Sequence, residues 1–292
     1  MTAEIFPDSG LFQRGASAFA ASVPADPADD GFFGPGSVTW RLHADLSAPV
    51  SGLRSLLLQA LHPLAMAGVD QHSQWRDDPA ARFASTAAYV LTTTYGDRAA
   101  ARAAADRVKK IHEYVHGTDP VTGRPYAAGD PDLLIWVHAA QVDSGLAAAR
   151  LYGGSFSDAD RDRYVAEMTA AAELVGVPPG RAPGSVAELD AYFTAVRPEL
   201  MRTPAAADTA VYLTEMPAIE PDLADIWQVV AAASVSSLPD WARALYGWAD
   251  AVPPDRTEVR QVLGVLDAIY LGEPGVLEAR QRLTLRMRAG GQ

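Results

Sequence analysis

The stretch Arg107–Gly117, RVKKIHEYVHG, supports two readings at once. His112, Glu113 and His116 spell H-E-x-x-H, the spacing with which zinc proteases hold a metal on successive turns of a helix while the Glu activates the bound water. The apolar residues, however, recur at three and four. Val108, Ile111, His112 and Val115 form one stripe of a helix, with His116 at its flank and Lys110 on the far side. The spacing predicts a helix over 97–116, stopped by Gly117 and Pro120, with His112 pointing inward.

The same period runs along the whole chain. It predicts further helices at 37–46, 50–61, 63–73, 79–95, 131–152, 158–175, 185–196, 207–215, 221–236, 239–249, 256–271 and 275–289. Asp130-Pro131 is a strong start, with Asp as N-cap and Pro in the first turn. VPPGRAPGS at 177–185 and DAVPPD at 250–255 are loops too short to compel a domain boundary. The expectation is an all-α fold: one globular multi-helix domain over 31–292, preceded by a poorly ordered, loosely packed arm at 1–30.

Composition narrows the function. A chain of 292 residues with 49% hydrophobic content can form a sizeable core. Its net charge of -12 disfavours phosphate backbones, so nucleic acid is not an expected partner. Without cysteine there is no disulfide, no thiolate-ligated haem and no Cys nucleophile, and any metal must rest on His, Asp, Glu or Tyr. The first thirty residues lack a basic region and an unbroken apolar run, and no apolar stretch reaches spanning length. A cytoplasmic protein without a membrane span is expected. No dinucleotide, P-loop or esterase glycine motif is present.

All six histidines fall between residues 43 and 138. By helical spacing His72 joins Leu61, Ala65, Gly68 and Val69, and His138 joins Leu134, Val137 and Gln141, so both should face the core with His112. A buried imidazole without a partner costs roughly 1–3 kcal/mol. Each is therefore either a satisfied core histidine or part of a site, and three together favour a site. On the 79–95 helix a polar stripe, Arg82, Thr86, Tyr89 and Thr93, runs beside the apolar Phe83, Val90 and Leu91. It is either a solvated face or a set of groups that orients an anion or an oxygen species.

The protease reading needs a third ligand. In the extended zinc motif the glycine position is Asp119 and the last histidine position is Thr122, and nothing singles out Glu167 or Glu173 as a later ligand.

A longer pattern is more specific. GPGSVTWRLHAD, LLLQALHPLAMAGVDQHS, DDPAARFASTAAYVLTTTYG, RVKKIHEYVHG and YAAGDPDLLIWVH, with LPDWARALYGW at 238–248, resemble the family of bacterial latex-clearing rubber oxygenases and the fungal oxygenase that cleaves a farnesyl chain in mycophenolic acid synthesis. The resemblance implies an all-helical fold with a haem pocket between helices. It implies a b-type haem held by one histidine in a pattern like R-x-x-x-x-H-x-x-V-x-G, which places Arg107, His112, Val115 and Gly117 in register and makes His112 the iron ligand. An R-x-x-K-T element on the other side of that haem matches Arg82, Ser85 and Thr86, with Ser85 where the rubber oxygenases have Lys. His62 and His72, in the family's H-P and H-S elements, are implied pocket residues.

The activity implied is oxygenation or cleavage of an alkene in a small apolar substrate, an isoprenoid for instance, by dioxygen. Ser85 turns the expectation away from rubber itself. Two alternatives stay open: the same fold with non-haem iron or zinc on His112, His116 and one of His72 or His138, and a family member that only binds a ligand.

Overall fold

The computed structural model describes residues 10–73, 75–215 and 223–290. Among these are fourteen α-helices: α1 (Gly10–Ser22), α2 (Val38–His43), α3 (Ala48–Gln59), α4 (Pro63–His72), α5 (Pro79–Tyr95), α6 (Arg98–His112), α7 (Pro131–Tyr152), α8 (Asp158–Leu174), α9 (Val186–Val196), α10 (Pro204–Glu215), α11 (Ala224–Ser236), α12 (Asp240–Tyr246), α13 (Arg256–Gly272) and α14 (Val276–Gly290). One antiparallel hairpin, β1 (His116–Thr118) with β2 (Pro125–Ala127), interrupts them. The fold is all-α, as the periodicity requires.

Short polar residues start the helices by accepting backbone N–H groups that have no partner in a first turn. Asp78 accepts from Ala81 at 3.0 Å, Asp97 from Ala100 at 2.8 Å and Asp130 from Asp132 at 2.9 Å. Ser157 and Asp160 form a reciprocal capping box on α8. Glu167 has a structural task of the same kind: it accepts from the backbone N–H and hydroxyl of Thr39 at the start of α2.

The main core surrounds α7. Trp136, Ala139, Ala140, Ala148 and Ala149 are buried there against Leu53, Leu57 and Leu58 of α3 and Tyr164 and Met168 of α8. Arg54, 2% exposed, crosses this layer with its bonds made: Nε donates to the Ser237 carbonyl at 3.0 Å, Nη1 to Ser144 Oγ at 2.7 Å, and Nη2 pairs with Asp143 at 2.7 Å.

Two expectations are corrected. Residues 10–22, inside the stretch read as a loose arm, are helical and bury Ala16 and Phe19, together with Val23 just beyond, against Trp40, Tyr95 and Leu283. The helix expected over 97–116 ends at His112. Asp119 accepts from the N–H groups of Val121 and Thr122 and fixes a turn, Gly123 takes a φ of +70°, and the backbone at 116–118 is drawn into pairing with 125–127. Gly117 is required in that hairpin because a Cβ would stand 2.8 Å from the Tyr126 hydroxyl.

Candidate oxygenase site

The end of α6 at His112 divides the H-E-x-x-H motif. His116 lies in β1 and is exposed, so the two histidines are not one helical turn apart. The apolar stripe changes with it: Ile111 is 56% exposed, and Val115, beyond the helix, packs with Leu64, Ala67 and Tyr126. Among the described residues no three His, Asp or Glu side chains converge as a metal-holding group.

His112 is half-buried. Its Nδ1 is enclosed without a hydrogen-bond partner, and no hydrogen bond to Nε2 occurs among the described residues. Burial, and then the positive charge of Arg82, depress its pKa, which favours the neutral ring with one unprotonated nitrogen able to act as a ligand. Helix α5, which carries Arg82, packs beside α6.

On α5, Arg82 Nη1 donates to Thr86 Oγ1 at 2.7 Å, while Thr86 donates to the Arg82 carbonyl at 3.0 Å. The Thr86 proton is committed to its own helix, so this hydroxyl faces Arg82 as an acceptor, and the remaining guanidinium N–H groups are the free donors. Ser85 donates to the same carbonyl at 2.9 Å and is exposed. Burial lowers the pKa of Arg82 although the side chain is accessible, and it pushes half-buried Tyr89 up to about 12. All residues from Thr86 to Thr92 are half-buried, including Val90 and Leu91, so this length of helix is neither sealed in the core nor on the open surface.

His43 extends the arrangement. Nδ1 lies 2.8 Å from Thr94 Oγ1 and Nε2 lies 3.1 Å from the Tyr164 hydroxyl. Thr94 spends its proton on the Val90 carbonyl at 2.7 Å, so it accepts from His43 Nδ1–H, and Tyr164 donates to the bare Nε2. Burial takes the His43 pKa down to about 4 and raises that of Tyr164.

A family model described as "ER-bound oxygenase mpaB/B'/Rubber oxygenase, catalytic domain" matches residues 40–268. The chain belongs to this oxygenase family. No curated protein and no solved structure matches it. No helix among the described residues is long and apolar enough to cross a membrane.

The expected site residues of this oxygenase domain fall into groups. Arg82 and Thr86 are hydrogen-bonded to each other, and Arg82 is near enough to His112 to lower its pKa. Arg107 is exposed and makes no hydrogen bond or ion pair among the described residues. His72, expected inward, is exposed at the end of α4, where Nε2 lies 3.1 Å from the Tyr126 hydroxyl; α4 turns its Leu64 and Ala67 face to the interior instead. His62 is buried, with Nδ1 unpartnered and its ring centroid 5.9 Å from that of Trp136. Its charged neighbours are Glu199, Arg124 and Asp119 rather than Arg82, and burial keeps its pKa low. His138 is buried as expected, its pKa taken down to about 4 by burial. His43 stands in the GPGSVTWRLHAD segment but was not distinguished by it, because its partners lie 51 and 121 residues away.

The His112 ring has the chemistry of a haem ligand. Its Nδ1 is enclosed and lacks the bond a buried imidazole needs, and the Arg82 guanidinium is near enough to lower its pKa.

Proposed function

We propose that this chain is a haem-dependent oxygenase in which His112 holds the iron and dioxygen cleaves or oxygenates an alkene of a small apolar substrate, an isoprenoid by preference. The observation that carries the reading is the His112 ring, its Nδ1 enclosed without a hydrogen bond, near enough to the Arg82–Thr86 pair for the guanidinium to lower its pKa. A histidine-held haem supplies the capacity to bind and activate dioxygen.

The protein's own groups do the rest. Arg82 offers N–H donors to a polar or anionic group entering between α5 and His112, and partial burial strengthens that interaction by lowering the local dielectric. Thr86 fixes the guanidinium through Nη1. Val90, half-buried on the same helix, adds apolar surface suited to an alkene, and displacing water from it favours such a substrate. Ser85 bonds back to its own helix and leaves the approach to Arg82 clear of a long cationic side chain.

The absorption spectrum of the purified protein with and without dithionite tests the proposal. A Soret band that shifts on reduction is expected, lost in His112→Ala and kept in His116→Ala, with circular dichroism confirming the fold of both. A folded wild-type protein that takes up no haem overturns it.

A further inference from the structure

A second cleft lies away from His112. It opens between α2, the turn joining α7 to α8, and the start of α13, with a volume of about 200 Å³. Arg150, Arg161 and Arg256 line it, over apolar surface from Leu42, Leu146 and Phe156. Arg256 also borders an adjoining hollow of about 480 Å³, shared with Thr257, Arg260 and Gln261. No carboxylate lines either space.

Three guanidinium groups gathered at one cleft repel one another unless something negative compensates them. The nearby acids do not do so in full. Asp45 is taken up by Ser47 and the Gly154 N–H, and Asp158 pairs with Arg161. Arg150 and Arg256 have neither a hydrogen bond nor an ion pair among the described residues. The arrangement is also held in place: Arg260 Nη1 donates to the carbonyls of Tyr152 and Gly153, both at 2.8 Å, which pins α13 to the turn and so positions Arg256 one helical turn earlier. Guanidinium groups match the planar oxygens of carboxylate and phosphate, and the apolar floor suits a short hydrocarbon chain.

We propose that this cleft binds an anionic amphiphile, a phosphate or carboxylate head held by Arg150, Arg161 and Arg256 with its chain on Leu42, Leu146 and Phe156. It shares no lining residue with the Arg82–Thr86–His112 group, so it stands or falls apart from the oxygenase reading.

Calorimetric titration of the full chain at low salt, with hexyl phosphate, hexanoate and neutral hexanol as probes, tests it. Saturable binding of at least one anion is expected, weakened by added salt and absent for hexanol, and the tighter anion identifies the head group. Arg150→Gln combined with Arg256→Gln should weaken binding about tenfold or more, since charge-assisted bonds are lost, while Arg181→Gln leaves it unchanged. The proposal is overturned if neither anion binds up to about 10 mM, a concentration that reveals even weak sites. It is equally overturned if the folded double variant binds as tightly as the wild type.

Discussion

Arg82 and Thr86 satisfy each other in both directions: the guanidinium donates to the hydroxyl at 2.7 Å, and the hydroxyl donates to the arginine's own carbonyl at 3.0 Å. The pair aims the guanidinium without consuming its remaining donors. Thr86→Val keeps the shape of the side chain but frees the guanidinium. Turnover should fall by about tenfold, the order expected when one orienting hydrogen bond of roughly 1.4 kcal/mol is lost. Arg82→Gln should fall further, and both variants should retain the wild-type Soret intensity. A threonine that served only to stabilise α5 would lower the melting temperature and leave turnover per folded molecule unchanged.

His43 should make stability pH-dependent. Its folded pKa, about 4, lies below the value of 6.5 usual for an exposed histidine. The folded protein therefore resists a proton that the unfolded chain accepts. The stability from this group is present in full above pH 6.5 and is lost as the pH falls toward 4, by up to about 3 kcal/mol. His43→Gln should show a shallower fall over that interval in melting temperatures measured against pH, and parallel curves for variant and wild type would contradict the assignment.

Gly145 on α7 leaves room for two neighbours. A Cβ there would stand 2.9 Å from the Tyr164 hydroxyl and 3.0 Å from Leu42 Cδ2. Gly145→Ala should cost about 1–3 kcal/mol through overpacking, despite the better helix propensity of alanine. Denaturant unfolding measures it, and a gain in stability would show that Tyr164 can move aside freely.

Arg54 stands in the core with all three donor nitrogens engaged. Arg54→Met removes one partner of a buried pair and leaves Asp143 and the Ser237 carbonyl uncompensated. A loss of about 3–5 kcal/mol is expected in chemical denaturation. Arg54→Met combined with Asp143→Leu should recover part of it, since replacing both partners removes the unpaired charge.

The sequence was a good guide wherever a helix begins with its own cap and carries its own stripe. Asp130-Pro131 announced α7, and Arg82 and Thr86, four residues apart, met as helical geometry requires. Three-residue strands are too short to show alternation, so β1 was hidden at an apparent helix end and β2 in the loop that follows it. Helix α1 was missed because Phe19 is buried by Tyr95 and Tyr270, far along the chain, rather than by any pattern within residues 10–22. His43 was missed for the same reason, while His72 was misplaced because spacing gives a face of a helix but not which face the fold covers.

The contact between α1 and α14 has a bearing on synthesis. Val23 accepts from Arg282 through its carbonyl, Asp30 pairs with Arg286, and Phe19 shares a buried cluster with Leu283 and with Tyr95 at the end of α5. The helix that carries Arg82 is thus secured on one side by residues that are made well after it. Until α14 emerges, α1 and α5 can meet but cannot be sealed, and this long-range closure should make the final ordering of the site a late event in folding, slow relative to the helices that compose it.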